Sequence, residues 1–124
     1  MVPMIDSSTV SLLSLALDAA GLRQQAIARN IANANTPGYQ RVGVRFEEQV
    51  AALQQVLAQD QRPTLASLAA YRPALTPVGE AGEPVALEME MAALSENTLH
   101  HQALLKALNK HFSLIGTAIA EGKR

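Results

Sequence analysis

The sequence has no cysteine and no tryptophan, and aromatic residues make up only 3% of it. Without cysteine there is neither a disulfide framework nor thiolate chemistry, and either a reducing or an oxidising compartment is compatible with the chain. With so few rings, a hydrophobic fraction of 48% consists mainly of Ala and Leu, which favours helix packing over a β-sandwich core. A surplus of charge is missing too: the formal net charge is -1 with both signs interspersed, so no cationic field gathers nucleic acid or anionic lipid. No stretch is apolar enough to span a bilayer, and Met1–Asp6 lack the basic and apolar regions of a cleaved secretory signal. Any export is therefore expected to use another route. A length of 124 residues allows a single domain over 1–124, of a size that buries little core alone.

What the sequence does have is helical periodicity at both ends. Val10, Leu13, Leu17, Ala20, Gln24, Ile27, Ile31 and Ala34 recur at alternating spacings of three and four, which puts them on one helical stripe interrupted only by Gln24. Asp6, Ser7 and Ser8 suit the N-cap, and Pro37 with Gly38 forbids propagation, so a first helix is expected over 8–34 and a turn over 35–44. Phe46, Val50, Leu53 and Leu57 predict a short helix over 45–59, ended by Asp60 and Pro63. Four of the six prolines fall between Pro63 and Pro84, and the composition of 60–86 predicts a flexible or partner-ordered segment. Leu87, Met91, Leu94, Thr98, His101, Leu105, Leu108, Phe112, Ile115 and Ile119 then repeat the three-four spacing, predicting a second long helix over 87–121.

These elements predict an all-α fold in which the long N- and C-terminal helices pair antiparallel as a coiled coil, with a short middle helix and an irregular Pro-rich segment. The expected facing layers run from Val10/Ile115 through Leu13/Phe112, Leu17/Leu108, Ala20/Leu105, Gln24/His101, Ile27/Thr98 and Ile31/Leu94 to Ala34/Met91. One isolated pair is marginal, because each buried aliphatic side chain stabilises by about 1.5 to 3 kcal/mol while ordering each residue costs about 1 to 2. Association with further helices supplies the missing burial.

Chemistry-bearing constellations do not close. His100 and His101 are adjacent and point about 100° apart on a helix, whereas a zinc pair wants a spacing of three or four. His111 has no carboxylate at ligand spacing, the serines have no nucleophile elbow, and Glu88 and Glu90 lie on different helical faces. The scattered glycines form neither a phosphate loop nor a dinucleotide fingerprint. The sequence thus predicts no catalytic residue, no metal, no cofactor and no small-molecule substrate. A helical assembly subunit is the expected class.

The strongest local signal is Asn30-Ile31-Ala32-Asn33-Ala34-Asn35-Thr36-Pro37-Gly38-Tyr39. Asn satisfies backbone groups locally and also bridges to other chains, so the run reads as a helix stop, an intersubunit hydrogen-bond patch, or both, with the helix stop first. This run resembles the Asn-rich N-terminal signature of the bacterial flagellar rod and hook proteins, with Asn30, Asn33, Asn35, Thr36, Pro37, Gly38 and Tyr39 as its signature and interaction residues. Val85–Gly122, through Glu96-Asn97-Thr98-Leu99, Gln102-Ala103-Leu104-Leu105, Leu108-Asn109 and Ala118-Ile119, is similar to the proximal rod member in particular. His100-His101 departs from the aromatic expected before Gln102. The Pro-rich middle matches little and carries no family inference.

That resemblance implies a structural subunit of the proximal rod of the flagellar basal body, exported unfolded through the flagellar type III apparatus without signal cleavage. It implies self-assembly and contacts with the rod proteins FlgC and FlgF, the adaptor FliE, the export gate and the MS ring. The implied location is the rod in the periplasmic space adjoining the inner membrane, and the implied work is torque transmission. Another rod protein such as FlgC, or a helical type III export chaperone or regulator, is the alternative. FlgC shares the signature, and only the C-terminal run separates the two.

Overall fold

The computed structural model describes residues 7–59 and 71–122. The Asp6 cap, the Asp60 and Pro63 stop and the first part of the Pro-rich segment lie outside the described residues. In chain order the elements are α1 (Ser7–Ala32), β1 (Val42–Arg45), α2 (Glu47–Ala58), β2 (Ala74–Pro77) and α3 (Leu87–Gly122). At a rise of about 1.5 Å per residue, α1 and α3 are about 39 and 54 Å long.

The chain is mostly helical, as expected, with a small two-stranded sheet that was not expected. β1 and β2 pair antiparallel with Val42 opposite Pro77, Gly43 opposite Thr76, Val44 opposite Leu75 and Arg45 opposite Ala74. Arg45, expected to begin the middle helix, instead closes β1, and part of the segment expected to be flexible or partner-ordered is held inside the chain as β2. The reason is short-range: Val42 and Val44 supply β-branched residues at alternate positions. A two-stranded pair is barely stable alone and needs an outside surface to hold it. That surface is α1. Val78 N–H donates to Arg41 O at 2.9 Å and the Gln40 side-chain amide to Val78 O at 2.7 Å, which extends the attachment past the ladder.

α1 serves two layers. One side packs Leu15 and Ala19 against Phe46 and Leu53, with Leu12, Ala16, Val44, Val50 and Tyr71 around them. Ala19 is fully buried, so its methyl group sets how closely the layers approach. This core is separate from the stripe read in the sequence, because a helix flanked on two sides buries more than one face. Leu53 is 2% exposed, so Leu53→Ala is expected to destabilise the subunit by about 2 to 5 kcal/mol, read as a lower urea midpoint with an unchanged slope.

The other side of α1 packs against α3. Asn97 Nδ2 donates to Ala20 O and to Gln24 Oε1, both at 2.9 Å, while Asn30 Nδ2 reaches Glu90 Oε2 at 3.3 Å. Residues 20–24 thus meet 97 and residue 30 meets 90, which makes the pair antiparallel. The expected register is corrected by one helical turn, since Gln24 faces Asn97 rather than His101. Apolar layers one turn apart are nearly equivalent, but a buried amide must find partners, and Asn97 decides between them.

Candidate functional site

The signature run begins on the last turn of α1 and ends at Tyr39, just before β1, so it forms the corner where the chain reverses. Helix propagation stops through Asn33. Its N–H and its Nδ2 both donate to Arg29 O, at 3.0 and 2.9 Å, and its own Oδ1 accepts from Thr36 Oγ1 at 3.2 Å. Thr36-Pro37-Gly38-Tyr39 then makes a turn closed by Tyr39 N–H on Thr36 O at 3.2 Å. Pro37 presets the backbone at the second position, and Gly38 at φ 76° takes the left-handed conformation required at the third. Asn35, Thr36 and Pro37 are exposed on the outside of the corner.

The turn brings the chain back alongside α1, where Asn30 receives it. Asn30 is 1% exposed and uses its amide fully. Oδ1 accepts from Tyr39 Oη at 2.8 Å and from Val42 N–H at 2.9 Å, while Nδ2 donates to Val42 O at 2.8 Å and to Glu90 Oε2 at 3.3 Å. Donating to and accepting from the same residue, the Asn30 amide stands in for one residue of a neighbouring strand on the outer edge of β1. Asn and Gln carry a donor and an acceptor side by side on one planar amide, and the short Asn stem keeps that group against the helix. An open strand edge is thereby closed from the side.

Glu90 adds the C-terminal helix to the same cluster. It is 5% exposed, lies in the first turn of α3, and accepts from Arg41 Nε at 2.6 Å as well as from Asn30. The positive end of the helix and the two donors offset the desolvation of its charge. Arg41, about half exposed, keeps much of its guanidinium in water. One hydrogen-bonded cluster therefore ties together the end of α1, the corner, β1 and the start of α3. A cleft of about 440 Å³ beside it is lined by Ile27, Val44, Ala93, Glu96 and His100 among others.

The stripe residues divide. On α1, Ala20 and Ile27 are buried, Val10, Leu13, Leu17 and Ile31 are half-buried, and Gln24 is exposed. On α3, Leu94, His101, Leu108 and Ile115 are half-buried, whereas Met91, Thr98, Leu105, Phe112 and Ile119 face outward. Placing both halves of the α3 stripe against α1 is therefore corrected, because Glu90 and Asn97 occupy positions expected to be outside the seam. Their signal in the sequence was a column of period seven, Glu90, Asn97, Leu104 and His111, too polar to be read as a buried face. Among the described residues no three His, Cys, Asp or Glu side chains gather as a metal site. No described helix is long and apolar enough to cross a membrane.

Two comparisons bear on this arrangement. A family model for the flagella basal body rod protein matches residues 13–40, which covers most of α1 and the corner through Tyr39. The flagellar basal body rod protein FlgB of Bacillus subtilis (strain 168) is 29% identical, in an alignment that spans 94% of this chain and 97% of that protein. The similarity thus runs through both long helices and the middle.

Proposed function

We infer that this chain is a structural subunit of the bacterial flagellar basal body rod, and that it polymerises through its terminal helices. The observation that carries the reading is a similarity to a rod protein extending over nearly the full length of both chains. The shape of the subunit supports it. Met91, Leu105, Phe112 and Ile119 stand 41 to 56% exposed along one side of a long helix, which is costly in water and useful against a neighbour. The large hydrophobic residues exposed among the described residues all belong to α3. The occupant of that side is a neighbouring rod subunit, in the first instance another copy of this chain.

Within the basal body the position is the proximal rod, between the MS ring and export gate on one side and the rest of the rod on the other. FliE, FlgC and FlgF are the neighbours of this reading, and the terminal helices form a regular coiled coil there. The Asn-rich corner serves both as the helix stop and, through exposed Asn35, Thr36 and Pro37, as a contact between subunits. The chain passes through the flagellar export apparatus without losing a signal segment. The role is mechanical, carrying torque rather than catalysing a reaction. A cluster joining both helices to the corner suits that work, since load on either helix reaches the other through Asn30 and Glu90.

The test is biochemical. A tagged chain produced in its own host from the native locus is expected in isolated basal bodies, in the rod fraction that stays with the MS ring after hook and distal rod are removed. Recovery only with cytoplasmic export components would identify an export chaperone instead. Recovery with the rod but away from the MS ring would assign a different rod position.

A further inference from the structure

α3 carries two overlapping faces that share one column of residues. Leu94, His101, Leu108 and Ile115 form the shared column and are half-buried. Glu90, Asn97, Leu104 and His111 flank it on the side of α1, and all four are buried or half-buried. Met91, Thr98, Leu105, Phe112 and Ile119 flank it on the other side and are exposed. Rotating the helix by about 50° about its axis would exchange the two faces while leaving the shared column against α1.

Apolar burial alone selects the wrong face. The inner column contains a carboxylate, an amide and an imidazole, and His111 Nε2 has no hydrogen-bond partner among the described residues. The outer column is apolar at every position but Thr98. What holds the polar face inward is a pair of specific contacts about two turns apart. Asn97 Nδ2 bonds Ala20 O and Gln24 Oε1, and Glu90 bonds Asn30 Nδ2 and Arg41 Nε. Both sets are directional, and neither survives a rotation of that size.

We propose that Glu90 and Asn97 are azimuth-setting residues: they pin the rotation of α3 against α1, so that the apolar column stays outward in the free subunit. Buried polar groups of this kind cost stability relative to apolar ones and in return choose one arrangement among several. The subunit thereby keeps its adhesive side available rather than spending it on its own α1. This inference rests on the rod reading for the use of the outward column, but the pinning is a property of the isolated chain.

The chain contains no Trp, so a single introduced one reports without background. In Phe112→Trp the indole is expected to emit as a solvent-exposed group and to be readily quenched by acrylamide. Adding Glu90→Ala and Asn97→Ala releases both pins. Emission should then move to shorter wavelength by about 10 nm and quenching should fall at least twofold, with the helical circular dichroism retained and light scattering showing a monomer. Asn97→Ala alone should give a smaller change in the same direction. An unchanged spectrum in both variants would overturn the proposal, because something else would then set the azimuth. Loss of helical signal in the double variant would overturn it as well, since the contacts would then hold the pair together rather than choose its face. Measured on the monomer, neither result depends on whether the chain enters the rod, which the basal-body fractionation decides separately.

Discussion

Asn30→Ala should lower the stability of the free subunit by about 3 to 5 kcal/mol. The substitution removes four hydrogen bonds at once. Val42 loses partners on both its N–H and its C=O, Tyr39 Oη loses its acceptor, and Glu90 loses one of two donors. Each buried polar group left without a partner costs about 1 to 3 kcal/mol, reduced where water reaches the vacated space. Tyr39→Phe, which removes one of the four, should cost only about 1 kcal/mol. Asn30→Asp is expected to be worse than Asn30→Ala. It places a second carboxylate beside Glu90, and it deprives Val42 O of its side-chain donor and Glu90 of one of its two donors. Urea unfolding of the three variants measures the series. Equal midpoints for Asn30→Ala and Tyr39→Phe would show that the amide is not the joint of the cluster.

Leu105→Lys combined with Phe112→Lys should abolish incorporation into the rod while changing the stability of the free subunit by less than about 1 kcal/mol. Leu105 is 41% and Phe112 50% exposed, so the lysine stems fit and their charges stay in water. Against a neighbouring subunit the same two ammonium groups would be buried without partners, a cost of several kcal/mol each. Motility of a strain carrying only the variant, together with the urea midpoint of the purified chain, separates the two effects. A motile strain would remove the outward column of α3 from the assembly surface. A non-motile strain with a much less stable subunit would place those residues in the fold instead.

The two experiments probe features that differed in how plainly they could be read. The Thr36-Pro37-Gly38-Tyr39 corner and the stop at Asn33 are local, governed by backbone geometry within a few residues, and the residue types announce them. The role of Asn30 does not follow from its neighbours. It depends on Val42 and Glu90, which are 12 and 60 residues away. The strands were also hidden, because four residues are too few to establish a period and each strand contains a Gly or a Pro, Gly43 in β1 and Pro77 in β2, that reads as a turn signal. Leu15 and Ala19 were passed over for a related reason: periodicity finds the most regular face of a helix, and α1 has a second one against α2 and β1.

By itself the sequence determined that two long helices bracket a Pro- and Gly-rich middle, that they carry matching three-four stripes, and that the chain turns sharply after Asn33. These are consequences of side-chain spacing and backbone sterics, which operate within one or two turns. Only the tertiary structure decided which column of α3 faces α1 and in which register. A stripe of period three and four tolerates a slip of one turn or a rotation of some 50° at little cost in apolar contact. The choice falls to the directional bonds of Asn97, Glu90 and Asn30, whose partners the linear sequence does not bring near them.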